Sequence, residues 1–299
     1  MTLIRKLWLA GLITWLAACN GNRLASGQLR VVATTTIIGD IVRNIAGDKA
    51  DVVTLLAPGI DPHEYEPVPS DLQALAQAKI IFANGAGLET WLPKLMQSVG
   101  TPIKVQNVSD GLALHTLADQ GVNVTDPHLW LDVANAIHYA EQIRDGLTTI
   151  DPANAAAYRA NAEAYLSKLK DLDTWVVAQT STLPAEKRLL VTNHDTFGYF
   201  AARYNFKILG TIFPTSGAEA SPSAQQVAEL VNTIKASGVK AVFTENTLNP
   251  DLANTIANEA GVKVITKLYT DSLGPKDSSA ATYIDLMRYD IQTIVDALK

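Results

Sequence analysis

Residues 151–182, DPANAAAYRANAEAYLSKLKDLDTWVVAQTST, contain no Gly and a single Pro, and that Pro stands where a helix tolerates it. Asp151 is a suitable N-cap and Pro152 a first-turn residue, because a first-turn N–H has no helical partner to lose. The larger apolar residues fall at Tyr158, Ala162, Tyr165, Leu169, Leu172 and Val176, in alternating steps of four and three that trace one helical face. Leu183-Pro184 stops the run. About thirty helical residues span roughly 45 Å, the diameter of a small domain. A helix of that length in mid-chain reads as a strut between two lobes; a long helix within a bundle is the other reading.

The flanking sequence favours the strut. On its N-terminal side, short β-branched runs alternate with helical patterns, the signature of a parallel sheet with crossover helices. Strands are expected at 31–35, 51–56, 79–83 and 103–108, and helices at 37–46, 69–78, 91–99 and from the Asp132 cap to Leu147. An irregular passage is expected between 108 and 126. Beyond the strut the alternation restarts, with strands at 188–192, 207–211, 239–244 and 262–265 and helices at 197–204, 223–237, 250–260 and 281–298. The fold expected is α/β: two (β/α) lobes with parallel sheets, residues 29–150 and 183–299, bridged by one long rigid helix at 151–182.

The 299 residues give ample chain for a buried core, and 47% hydrophobic with 18% charged residues is a globular balance. A net charge of −6 without a run of Lys or Arg excludes nucleic-acid binding, which needs a basic patch to displace counterions. The N-terminus is a separate matter. Arg5 and Lys6 precede an apolar run from Leu7 to Ala18. That run is too short to span a bilayer as a helix, which takes about twenty residues, but suits a secretory signal. It ends in Leu16-Ala17-Ala18-Cys19, and Cys19 is the only cysteine. The tetrapeptide resembles a bacterial lipobox, so residues 1–19 are expected to be a lipoprotein signal peptide and Cys19 the lipidated mature terminus. Residues 20–28 would then be a flexible leash tethering an extracytoplasmic body, periplasmic or on the outer face, to the membrane. Ordinary cleavage beside a coincidental Cys is the alternative.

Three of the five histidines, His63, His128 and His194, stand in loops beside regular elements. Ligands of open α/β sheets collect at the carboxyl ends of strands, where such loops converge. His63 and His128 share the tripeptide Asp-Pro-His, in which Pro fixes one backbone torsion. Three neutral imidazoles and a carboxylate make a shell suited to a divalent transition metal. The spacing, some sixty-five residues between histidines, matches no zinc-finger pattern, so solvated or capping histidines remain the other reading. Glu245, at a strand end, could be a ligand and otherwise an outer or helix-capping carboxylate, and Asp195 and Glu64 are candidate orienters of neighbouring histidines. Tyr65, Trp130 and Tyr199 would screen the site from water. His115 and His138 are assigned no ligand role. Asn84-Gly85-Ala86-Gly87 lacks the third Gly of a dinucleotide fingerprint and reads as a turn.

The segments DPHEYEP (61–67), DPHLWLD (126–132), TNHDTFGYF (192–200), VFTEN (242–246) and YTDSLG (269–274) carry a resemblance. From Val31 onward the chain resembles the metal-binding solute-binding proteins of bacterial ABC importers, the zinc- and manganese-uptake group. The resemblance implies metal ligands at His63 and His128 from the first lobe and His194 and Asp271 from the second. It also implies partners, a membrane permease and its ATPase, and a monomer without enzymatic activity. Its manganese- and iron-leaning members commonly carry Glu where this chain has His194. Three nitrogens favour Zn2+ over Mn2+, although the chain lacks the histidine-rich loop of many zinc-uptake members, which keeps Mn2+ open. Binding needs neutral imidazoles, so affinity is expected to fall steeply below the histidine range. Two rival classes are a zinc hydrolase of the envelope, against which no His-Glu-x-x-His stands in the sequence, and a surface adhesin with an incidental site.

Overall fold

The computed structural model describes residues 28–119, 122–213 and 221–299. The expected signal peptide, Cys19 and all but the last residue of the leash lie outside the described residues. Among those described, no helix is long and apolar enough to cross a membrane.

The first lobe is built on β1 (Leu29–Ala33), α1 (Thr36–Ala46), β2 (Ala50–Thr54), α2 (Pro69–Ala76), β3 (Ile80–Ala83), α3 (Leu92–Val99) and β4 (Lys104–Asn107). The four strands form one parallel sheet in the order β2-β1-β3-β4. Strand alternation sorts its side chains into two layers. Val31, Ala33, Ile80 and Phe82 face the main core with α1, while Val32, Ile81 and Ala83 face Leu75, Trp91, Leu92 and Leu95 of α2 and α3. Helix α1 starts where the Thr35 hydroxyl accepts the Ile38 N–H at 3.3 Å, and ends at Gly47, whose φ of 57° a side chain would resist.

The passage expected to be irregular contains an antiparallel pair, β5 (Thr116–Asp119) and β6 (Val122–Thr125). Helix α4 (Val133–Ile150) follows, capped as expected by Asp132, whose Oδ1 accepts the Ala134 N–H at 2.8 Å.

The strut begins with a 3-10 turn, Pro152–Asn154, and continues as α5 (Ala155–Thr180). At 26 residues, α5 is about 39 Å long, shorter than expected because the strut's first turn is 3-10 and the helix stops at Thr180. Asp151 acts through its side chain, accepting from Asn154 Nδ2 at 2.8 Å and the Tyr158 hydroxyl at 2.7 Å. All six residues of the expected face are buried. They pack against α1 and α4 of the first lobe and against the last helix of the chain.

The second lobe contains β7 (Leu189–Thr192), α6 (Gly198–Tyr204), β8 (Lys207–Thr211), α7 (Ala224–Ser237), β9 (Ala241–Glu245), α8 (Asp251–Ala260), β10 (Lys263–Leu268) and α9 (Tyr283–Leu298). Strands β7 and β8 pair in parallel, as do β9 and β10, and β7 lies alongside β9. Strand β10 runs three residues past its expected end. It does so through an irregularity between Ile265 and Leu268 that puts Lys267 at φ 72°, a left-handed conformation uncommon for a residue with a side chain. Two α/β lobes joined by one long helix is therefore the architecture, and α9 touches both, reaching α1 and α5.

Candidate metal centre

In each lobe the chain reverses its direction across the sheet, between β1 and β3 in the first and between β7 and β9 in the second. The crevice beyond the strand ends at such a switch point is where α/β folds gather ligands. The two crevices face each other, and His63, His128, His194 and Asp271 meet there. Each offers one nitrogen or oxygen, and these four atoms all lie within 4.8 Å of one another. His128, His194 and Asp271 are buried, whereas His63 is half-buried at the rim.

Local chemistry aims each imidazole. In both Asp-Pro-His tripeptides the Asp carboxylate accepts the backbone N–H of the His two residues on, Asp61 to His63 at 2.8 Å and Asp126 to His128 at 3.0 Å. Asp126 Oδ1 also takes the ring Nδ1–H of His128 at 2.8 Å. From behind, Asn84 Nδ2 donates to the Pro127 carbonyl at 2.9 Å, and Trp91 Nε1 to the Pro62 carbonyl at 3.1 Å. The buried Glu89 carboxylate fixes the turn that carries Asn84, accepting the Asn84 N–H at 2.7 Å, the Gly85 N–H at 3.0 Å and the Thr34 hydroxyl at 2.7 Å. In the second lobe Glu245, the last residue of β9, accepts from His194 Nδ1 at 3.0 Å and from the Thr270 hydroxyl at 2.6 Å. The adjacency of β7 and β9 is what brings it there.

With Nδ1 of His128 and of His194 each turned to a carboxylate, their Nε2 atoms point inward. His128 Nε2 stands 3.1 Å from His63 Nε2 and 3.2 Å from His194 Nε2. Two nitrogens each about 2.05 Å from one tetrahedral zinc ion stand roughly 3.3 Å apart, so the spacing fits a shared ion. Asp271 completes the group, with Oδ2 3.3 Å from His194 Nε2 and Oδ1 3.7 Å from His128 Nε2. Neither Asp271 oxygen has a hydrogen-bond partner, although both are buried. A buried carboxylate left without donors is costly unless a cation meets it.

Electrostatics separates the histidines. Burial, reinforced by the neighbouring imidazoles, holds His63 and His128 well below the usual range, so both are neutral at pH 7. Burial acts the same way on His194, but Glu245 and Asp271 outweigh it and raise that ring to about 10. Burial also raises Asp271 well above the ordinary carboxylate range and Asp126 to about 6.

The remaining expectations divide. The carboxylate bonded to His194 is Glu245 rather than the adjacent Asp195, which is half-buried, and Glu64 is exposed. Trp130 stands edge-on to His128 at 5.4 Å and donates Nε1–H to the Thr270 carbonyl at 2.6 Å. Tyr65 packs on Trp91 at 5.0 Å. Tyr199 stacks on the exposed His115 at 4.1 Å and donates to the Asp126 carbonyl at 3.1 Å. His138 bonds the Asp110 carbonyl through Nε2 at 2.8 Å. Sequence reasoning missed Asp61 and Asp126 as partners of their histidines, although the repeated Asp two residues before His was a usable signal.

A two-lobed α/β body with imidazoles and a carboxylate converging at its seam defines a class: a solute-binding protein built around a cation-sized site. The chain belongs to the family described as Zinc-uptake complex component A periplasmic (ZnuA), which it matches over residues 31–297. It is 40% identical over 271 residues to the manganese-binding lipoprotein MntA of Halalkalibacterium halodurans, covering 90% of this chain and 88% of that protein. It is 32% identical to the manganese ABC transporter substrate-binding lipoprotein PsaA of Streptococcus pneumoniae, covering 99% and 97%. Among solved structures it resembles the periplasmic zinc binding protein TroA of Treponema pallidum, with a TM-score of 0.84, 29% identity, and coverage of 91% of this chain and 99% of that one.

Proposed function

We propose that the chain is the extracytoplasmic substrate-binding component of an ABC importer, which captures a divalent transition metal between its lobes and delivers it to a membrane permease served by an ATPase. His63, His128, His194 and Asp271 hold the ion as cargo, while Glu245 and Asp126 orient His194 and His128. The first lobe spans 29–150, the connecting segment 151–182 and the second lobe 183–299. A signal peptide at 1–19 and a lipid on Cys19 would tether the monomeric body through the leash at 20–28.

One observation carries this reading: three inward Nε2 atoms and an unpartnered buried carboxylate share a space the size of one ion. Four protein ligands close the shell, which suits a carrier. A hydrolytic zinc keeps a position open for water, so the arrangement weighs against an enzyme. Zinc is the favoured ion because three of the four donors are nitrogen. Manganese is the second reading, supported by the manganese-binding names of MntA and PsaA. Competitive titration with Zn2+ and Mn2+, alongside elemental analysis of protein expressed without added metal, tests both. His194→Ala should abolish tight binding of either ion. Unchanged affinity in that variant would remove His194 from the shell.

A further inference from the structure

The loop that carries Asp271 is anchored to its own lobe through the Thr270 hydroxyl and to the opposite lobe on both sides of Asp271, upstream by Trp130 Nε1 donating to the Thr270 carbonyl at 2.6 Å. Upstream, Thr270 bonds Glu245 at 2.6 Å through its hydroxyl. Downstream, two hydrogen bonds cross the seam. Ser272 Oγ accepts the Gly59 N–H at 2.8 Å, and Thr36 Oγ1 accepts the Leu273 N–H at 2.9 Å. The two hydroxyl oxygens stand 3.3 Å apart, and the Ser272 hydroxyl donates to the Leu273 carbonyl at 3.1 Å. Thr36, Ser272 and Leu273 are all buried. Gly59 lies four residues before His63 in the same loop, and Thr36 opens α1. The two loops that present His63 and Asp271 are thus bonded directly to each other.

We infer that Thr36 and Ser272 are positioning residues, an inter-lobe hydroxyl latch that holds Asp271 over the three imidazoles and sets how slowly a bound ion leaves. The inference deepens the proposed function and rests on it. Asp271 accepts no hydrogen bond and only faces the imidazoles it would share an ion with, so the bonds of its chain neighbours fix the loop that presents it. Parting the lobes at this point breaks the Gly59 and Leu273 bonds together, so the closed form opens only when both are exchanged for water at once. The latch therefore acts on the loaded, closed form. An ion entering the open form does not depend on it.

The test uses the full chain in detergent, loaded with Zn2+ and mixed with excess chelator, with release followed by stopped-flow. Thr36→Val keeps the shape and removes the hydroxyl, Thr36→Ser keeps the hydroxyl, and Ser272→Ala removes the second oxygen. Thr36→Val and Ser272→Ala are expected to release Zn2+ about tenfold faster, the scale of one buried bond whose partner is left unsatisfied. Thr36→Ser should match the wild type, and association rates should be unchanged. Wild-type release from Thr36→Val overturns the latch, as does release from Thr36→Ser as fast as from Thr36→Val. A Thr36→Val protein that melts early and releases fast, with Ser272→Ala unchanged in both respects, also overturns it by assigning Thr36 to packing. A wild-type chain that takes up no Zn2+ overturns the proposed function and the latch with it.

Discussion

Loading the site should expel a proton, and His194 is the residue that gives it up. In the metal-free protein Glu245 and Asp271 raise this imidazole to about 10, so at pH 7 its Nε2 carries a proton where the ion would bind. His63 and His128 are held well below the usual range and enter the complex already neutral. Removing one proton about three pH units below its pKa costs about 4 kcal/mol, which metal binding must outweigh. The apparent association constant should then rise about tenfold per pH unit, hence about a hundredfold from pH 6.5 to 8.5 at buffered free zinc. This differs from the sequence-based expectation of a steep fall confined to pH below the histidine range, which treats the three rings alike. Calorimetric titration at pH 7.5 in buffers of different ionisation enthalpy counts the protons directly, and at least one per zinc is expected. A heat independent of buffer, with affinity flat above pH 7, would refute the assignment of a charged His194.

The same groups set the stability of the metal-free chain. His194, raised, contributes stability that is complete below about pH 6.5 and is lost as pH rises toward 10, whereas His63 and His128, depressed, lose theirs as pH falls below about 6.5. Burial also raises Asp271, which adds to the loss as pH rises, so thermal melts of metal-free protein should decline from about pH 7 to 8.5 while the gain on adding zinc widens; a gain constant with pH would contradict this. Glu245→Gln keeps an acceptor near His194 Nδ1 but removes the charge, and should weaken zinc binding by about 10- to 100-fold in competitive titration. It should also lower the proton count of the calorimetric experiment. Gly198→Ala places a Cβ 2.5 Å from Asp126 Oδ2 and pushes the carboxylate that holds His128. An affinity loss of about tenfold and a destabilisation of about 1–3 kcal/mol by denaturant melts are expected.

Much of this was legible in the sequence because it depends on local periodicity. The six positions of the strut face, Tyr158 to Val176, are all buried, since a 3.6-residue repeat leaves a helix few choices. Caps at Asp132 and Ser223 stand where their side chains allow them. The antiparallel pair of β5 and β6 was not legible, because each strand is only four residues long and carries at most two large apolar residues. The carboxylate bonded to His194 was placed only loosely, at Glu245 or Asp195, because the choice depends on β7 lying beside β9, fifty residues away in sequence. The irregularity at Lys267, which lengthens β10 and turns the chain into Tyr269–Ser272, leaves no mark in any local pattern. The repeated Asp-Pro-His was visible, and the Asp two residues before each His is as regular a feature as the Pro between them.

The way the core is distributed limits how an ion could leave. A single apolar cluster runs from Val31 and Ile37 of the first lobe through Tyr158, Leu169 and Val176 of α5 to Leu190, Phe243 and Ile291 of the second. A wide hinge would tear this cluster: exposing even roughly 400 Å² of apolar surface costs about 10 kcal/mol, comparable with the whole stability of a typical domain. Opening is therefore confined to parts that lie outside the shared core. The loop of His63 is half-exposed and held to the rest by a few polar bonds, and the loop of Asp271 ends on the cross-seam bonds to Thr36 and Gly59. Those loops can part while α5 and the core stay packed, with small shifts of the lobes accommodated at the seam. Exchange by this route breaks mainly polar bonds that water can replace, with hydroxyls at the place where the loops of His63 and Asp271 meet, while Leu273 keeps the Asp271 loop seated in the shared core.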